Sequence, residues 1–360
     1  MTLAIVLCSA LLALVLAIGL ALPSIADPTV PFGVRIPPAH VSDPAITKQI
    51  RLYRGRLLGS GVLAAAGSVT LYSVTGETLM LPLSVLVLVG AWYGCFVLAH
   101  HGIRAAKAAG GWYEGTRQGI AVDTELRTRP PRFPWLWLAP PLIITIATVL
   151  IGVVRYPSMP EILAVHYTAN GVPDRLAVKS VSTAFSLVFV QVGLTALLVG
   201  IAAAIFHSRA DLDPARPAGS ARWFRRYTVL GAKALLGLAA MIDLGMLASS
   251  LLMWSGTITP WAPLTIVVPV LAGVLVAVIV LARNNRDWEP VEEGTGLVHR
   301  DDDKQWRGGL LYINRADHAL FVPRRYGLGW TVNAGNPQAA ILLAGIAGLI
   351  TLLIVLRLGR

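Results

Sequence analysis

In the stretch AVHYTANGVPDRLAVKS, residues 164–180, five polar groups fall within fourteen positions: His166, Asn170, Asp174, Arg175 and Lys179. An imidazole and a carboxylate this close can share a proton, contribute to a metal site, or pin a loop. One His and one Asp are too few donors for a metal, and no second His lies within ligand spacing, so no metal is expected here. Pinning the loop is the plain use of the pair; recognition of a ligand is the functional one. Asn170-Gly171 is a turn signal, Pro173 fixes its own backbone, and Asp174 suits an Asx-type turn. Ser180 or Ser182 is a candidate N-cap for the apolar run that follows.

Asp243 raises a different chemistry, because it interrupts a long apolar run about sixteen residues in. A carboxylate at such a position costs about 2.5–3.5 kcal/mol on insertion scales, and a proton or cation site is the usual reason to keep one. Lys233 lies ten residues earlier, roughly 15 Å along a helix, which is too far for a direct pair. It is expected to snorkel to the headgroups. Gln191, in the preceding apolar run, is the candidate hydrogen-bond partner for Asp243. No HExxH or GxSxG occurs, and no paired carboxylates sit in adjacent apolar runs. Catalysis is therefore not expected, with an intramembrane hydrolase the last-ranked alternative. No cofactor motif appears, and Cys8 and Cys95 both fall in apolar runs as small filler.

These groups need a scaffold, and the composition names it. Hydrophobic residues form 55% of the chain and charged residues 14%, with mean hydropathy +0.67. Soluble domains carry about 25% charged residues, so this chain cannot wet an ordinary surface. Runs of about 20 apolar residues span a bilayer as helices. Eight such runs are read at 2–22, 57–75, 78–99, 135–154, 181–206, 228–254, 261–282 and 339–356. Asp43-Pro44 reads as the cap and first turn of an amphipathic lead-in to the second run. The Pro-rich stretch before it reads as extended, and Gly76 turns the second run into the third.

The expected fold is an all-α integral membrane protein of about eight transmembrane helices. A small cytoplasmic β-hairpin module and a short extracytoplasmic loop cap complete it. Five regions follow: 1–134, three helices with basic loops; 135–206, a helix pair with the outer loop 155–180; 207–282, a second pair; 283–338, the module; and 339–360, the last helix. Orientation comes from charge. Alternate loops hold 24 Lys and Arg residues against five in the others. Positive charge stays inside, so the basic loops are cytoplasmic and both termini extracytoplasmic. The LALPSIADP stretch resembles a signal-peptide end, but no basic residues precede it, so the first helix is read as retained. Topology also accounts for the net charge of +11, and no direct nucleic-acid binding is expected.

In the module, LLYIN and ALFVP flank RADH and read as one hairpin. Trp306, Phe321, Arg324, Arg325 and Trp330 are candidates for a face that meets lipid headgroups or a protein partner. A compact plug with these aromatics as its core is the plain alternative.

The stretch YPSMPEILAVHYTANGVPDRLAVKS resembles the membrane domain of unknown function that opens the Sdp-type immunity proteins. The resemblance rests on Pro160, His166, Gly171, Pro173, Asp174 and Lys179. It implies an outer ligand, in that system an exported toxic peptide, and a cytoplasmic regulatory partner. The NWFxGIRTP-like signature of the later half of those proteins is absent here, so the outer loop and its flanking helices are what the resemblance carries over. The 301–338 segment resembles a second small domain of unknown function, through Trp306, Gly309, Tyr312, Asn314, Phe321, Val322, Pro323, Arg325, Gly327, Gly329, Trp330, Asn333 and Pro337. A bacterial inner-membrane sensor or immunity-type protein is the leading expectation. A secondary transporter or proton- or cation-coupled permease using Asp243 is the alternative.

Overall fold

The computed structural model describes residues 2–76, 80–121, 125–168, 171–206, 210–284, 293–325, 330–341, 344–345, 347–348 and 351. Seven of its helices are long and apolar enough to cross a membrane. They are α1 (Thr2–Ile25), α2 (Pro44–Thr75), α3 (Met80–Ala109), α4 (Ala139–Arg155), α5 (Ser186–Phe206), α6 (Pro217–Ser255) and α7 (Leu264–Asn284). These match the first seven expected spans. Residues 337–341 are helical too, but much of the eighth expected span lies outside the described residues. Several helices overrun the apolar runs that reveal them. Thus α2 begins at Pro44, where the Asp43 carboxylate accepts the Ala45 N–H at 2.8 Å, and ends on Gly76 in the left-handed region.

Helices α1, α2 and α3 pack together around Tyr53, Leu57, Leu88 and Phe96. Helices α4, α5, α6 and α7 form the second group, and α1 joins it by lying against α7. The stretch between α1 and α2 is not the extended, open loop its prolines promise. Two 3-10 turns, Pro31–Gly33 and Pro38–His40, fold it under the bundle and bury Phe32, Val34 and Ile36. Apolar side chains alternating with the prolines drive that tuck.

Among the described residues, eight short strands make four two-stranded sheets. Strand β1 (Arg117–Gly119) pairs parallel with β4 (Leu297–His299), tying the loop after α3 to the segment after α7. Strands β2 (Ile162–Tyr167) and β3 (Pro173–Val178) form an antiparallel hairpin between α4 and α5. In the last module β5 (Trp306–Arg307) pairs with β6 (Leu311–Tyr312), and β7 (Phe321–Pro323) with β8 (Trp330–Val332). This corrects the single hairpin expected between LLYIN and ALFVP. Gly308-Gly309, both at positive φ, supply the turn that sends β6 back onto β5 instead. The RADH segment becomes a loop held by Asn333, whose side-chain amide donates to the Asn314 and Asp317 carbonyls at 2.9 Å each.

Candidate recognition site

The four basic loops gather at one end of the bundle, and the β2–β3 hairpin stands at the other. Leu163 points down from β2 into a core with Met159, Ala184, Val188, Met253 and Trp254. Trp254 seals it by donating its indole N–H to the Ala184 carbonyl at 2.8 Å. Gly171 lies at φ +76°, and an added Cβ would strike the Pro260 carbonyl on the α6–α7 loop. Only glycine lets the hairpin tip lie on that loop. Ser180 caps the turn Val181–Ala184, accepting the Thr183 N–H at 3.1 Å.

The polar residues of the loop are brought together. His166 Nδ1 meets Asp174 Oδ1 at 2.6 Å across the strands, both side chains largely exposed. The hydrogen bond from His166 holds the Asp174 carboxyl below its ordinary range. That carboxylate turns to the neighbouring strand, where an Asx-type turn was expected. Arg175 stands opposite His166 in the register and is exposed. Lys179 anchors the exit of β3, donating to Glu161 Oε1 at 2.8 Å and to the Met159 carbonyl at 3.1 Å. Asn170 lies outside the described residues. Ile162, Leu176 and Val178 form an exposed apolar strip on the hairpin, and among the described residues neither outer edge of the pair is bonded to a further strand. Beneath it a cavity of about 310 Å³ is lined by His166, Tyr167, Ser186, Ser249, Met253 and Ile266 among others.

Deeper in the same helix group, Asp243 is fully buried. Its carboxylate accepts the Thr195 hydroxyl at 2.9 Å and the Thr145 hydroxyl at 3.3 Å. Gln191 is not its partner, contrary to expectation: that amide sits one helical turn from Thr195 and donates to Thr148 Oγ1 at 3.5 Å. The 191/195 and 145/148 spacings put one amide and three hydroxyls on inward helix faces, a signal the sequence carries. Gln191 Oε1 and Ser250 Oγ are buried without a hydrogen-bond partner among the described residues. Lys233, at the basic end of α6, holds its ammonium 5.7 Å from the centre of the Trp137 ring.

The basic end carries a buried ion cluster that sequence reading missed. Arg35 pairs with Asp211 at 2.6 Å and Asp302 at 3.5 Å. Lys107 pairs with Asp303 at 2.6 Å and Asp301 at 2.8 Å, and Arg325 pairs with Asp302 and Asp303. His299 reaches Asp211 at 2.8 Å. Burial opposes the Asp211 charge, but Arg35 and His299 outweigh it and hold that carboxyl far below its ordinary range. An acidic run, Asp301-Asp302-Asp303, inside otherwise basic loops was the available signal. The expected aromatic face divides. Trp306 is buried with Tyr312 and Val322 as the module core, and Arg325 is buried in the cluster. Phe321 and Arg324 are exposed and Trp330 is half-buried. Burial of the indole in the module core and of the guanidinium among Asp302 and Asp303 takes Trp306 and Arg325 off any open surface.

No curated protein and no solved structure matches the chain. Two segments do match family models: residues 143–192, with the hairpin, Thr145, Thr148 and Gln191, match a domain of unknown function (DUF1648), and residues 315–339 match a family of unknown function (DUF5808).

Proposed function

We propose that this chain is a multi-pass protein of the bacterial cytoplasmic membrane that recognises an extracytoplasmic peptide at the β2–β3 hairpin. The basic loops sharing one end of the bundle support that orientation, since positive charge stays inside. The hairpin end then faces outward, as do both chain termini. The observation that carries recognition is the exposed Ile162–Leu176–Val178 strip on a hairpin with open edges. Extended peptides add to such edges through backbone hydrogen bonds, and alternate side chains take the apolar pockets. On this reading the opposite end binds a cytoplasmic regulatory protein, and the chain is a non-catalytic sensor or immunity-type protein. The test is photo-crosslinking from position 176 in native membranes, followed by identification of what is captured. A captured exported peptide, lost in Leu176→Asp, supports the reading. Capture of nothing from intact cells, or labelling of Asn170→Cys by an impermeant thiol reagent only after lysis, overturns it.

The second reading, a proton- or cation-coupled permease, has one observation in its favour. The Asp243 carboxylate is buried with hydroxyl partners and no cation among the described residues. Flux driven by a proton gradient in liposomes, lost in Asp243→Asn, would establish it. No such flux in the wild-type protein removes it.

A further inference from the structure

Two helices offer oxygen to Asp243 of α6. Thr195 Oγ1 on α5 stands 2.9 and 3.1 Å from the two carboxylate oxygens, and Thr145 Oγ1 on α4 stands 3.3 Å from Oδ2. One helical turn toward the hairpin, Gln191 on α5 meets Thr148 on α4, with Nε2 3.5 Å from Thr148 Oγ1. The Thr145–Thr148 and Thr195–Gln191 spacings set the two levels about 5 Å apart. At the second level acceptors outnumber donors. Thr148 spends its hydroxyl proton on the Ile144 carbonyl at 2.7 Å, and Gln191 Oε1 is buried without a hydrogen-bond partner among the described residues. Asp243, Thr148 and Gln191 are all fully buried. No basic group on these helices comes to the carboxylate among the described residues. Lys233, the nearest along α6, holds its ammonium over Trp137, and Arg155 and Arg283 lie in the last turns of α4 and α7.

We infer that these oxygens form a binding site for one sodium ion, held by Asp243, Thr145 and Thr195 and completed by Thr148 and Gln191 Oε1. A buried carboxylate is costly unless a counter-charge accompanies it. One carboxylate balances one monovalent ion, whereas a divalent ion would leave a buried positive charge. All-oxygen ligation suits a hard cation. Sodium is close to calcium in size, and two oxygens held at about 2.4 Å and a right angle stand about 3.4 Å apart. The 3.3 Å contact of Thr145 with Asp243 has that length, and it is long for a hydrogen bond between oxygens. A proton would also neutralise the carboxylate, but it adds a single donor, and the hydroxyl oxygens at 2.9 and 3.3 Å are the acceptors nearest to it. Gln191 Oε1 would stay unsatisfied, which buried acceptors rarely are. A cation meets several acceptors at once. This site rests on the permease reading of Asp243, to which it adds the ion; its occupancy requires no transport.

The test follows thermal unfolding of the full chain in nanodiscs at fixed pH and ionic strength, with sodium replaced stepwise by potassium or choline. The wild-type midpoint should rise saturably with sodium alone. Asp243→Asn, which keeps the shape without the charge, should be indifferent to the ion. Gln191→Leu and Thr148→Val should each raise the half-saturating sodium concentration about tenfold, the loss expected for one ligand. Should Asp243→Asn fail to fold, the other two variants decide. The same midpoint in all three salts, or a sodium response left intact in Gln191→Leu and Thr148→Val, overturns the inference. So does a midpoint that follows pH alone and loses that dependence in Asp243→Asn, which would make the occupant a proton. Sodium binding without ion-driven flux in liposomes leaves the site standing and removes the permease; proton-driven flux with no sodium response does the reverse.

Discussion

Asp303 is where the ties of the basic end converge. Its carboxylate accepts the Lys107 ammonium at 2.6 Å, Arg325 Nη2 at 2.6 Å and the Arg35 backbone N–H at 3.0 Å. The Asp303 and Lys107 side chains are each 9% exposed, so water screens little of this. Burial alone opposes the Asp303 charge; Arg325 and Lys107 outweigh it and hold the carboxyl below its ordinary range. Asp303→Asn keeps the shape and removes the charge. Breaking a buried pair from one side costs about 3–5 kcal/mol. Lys107 keeps Asp301 and Arg325 keeps Asp302, so the loss should fall at the low end, about 3 kcal/mol. That raises the open population of the module roughly a hundredfold. Amide exchange at Trp306 and Tyr312, in nanodisc-held protein, reads that population. The pH dependence has a fixed sign. A carboxyl whose folded pKa is depressed contributes fully above its unfolded range, and the contribution fades as pH falls through the folded value. Wild-type protection should therefore drop in acid more steeply than that of Asp303→Asn. Asp301→Asn, at a carboxylate one-third exposed, should lose far less. Exchange in Asp303→Asn as slow as in wild type, or equal losses in the two variants, would refute the reasoning.

Gly171→Ala should destabilise the hairpin by at least about 1–2 kcal/mol, because alanine disfavours the left-handed region and its Cβ meets the Pro260 carbonyl. Thermal unfolding in nanodiscs measures it, and an unchanged midpoint would mean the tip does not rest on the α6–α7 loop. Trp254→Phe removes one buried hydrogen bond to Ala184 and should cost about 1 kcal/mol in the same assay. His166→Ala should leave the melting midpoint where it was, since the pair with Asp174 is exposed. In the same variant the Asp174 carboxyl should return toward its ordinary range in an NMR titration, and no movement would show that His166 is not what holds it down.

The spans were legible because lipid imposes length and composition on any helix that crosses it, and seven of the eight expected runs coincide with helices. Their ends were less so. Helix α6 begins at Pro217, well before residue 228, because hydropathy fades at the membrane edge while backbone hydrogen bonding continues. The loop pair His166–Asp174 was readable, since residues flanking a turn signal meet across a hairpin. The hydroxyl partners of Asp243 were legible only as inward faces of α4 and α5, because which carboxylate Thr145 and Thr195 meet depends on the relative rotation of three helices, which no single segment encodes. The ion cluster was the least legible. Arg35, Lys107, Asp211, Asp303 and Arg325 are spread over nearly the whole chain, and each taken alone reads as an ordinary loop charge.

The two family matches mark opposite ends of the molecule, and α6 lies in neither of them. Yet α6 runs from one end to the other. At the hairpin end it supplies Trp254, and its C-cap Gly256 abuts Pro160. At the basic end Glu293 caps its first turn, accepting the Ala218 and Gly219 N–H groups at 2.9 and 2.7 Å. Between these ends it carries Asp243. Its 39 residues span roughly 58 Å, longer than the bilayer is thick. Contiguity of this kind is not yet coupling, which requires an element with two arrangements that both ends can bias. It does say where such an element would lie. Small residues along α6, Gly245 against α7 and Ala239 in the core, permit the close sliding contacts that a shear motion uses. If an outer ligand is felt at the module, the ion cluster is the contact most suited to report it, because buried charge pairs lose strength steeply when geometry is disturbed.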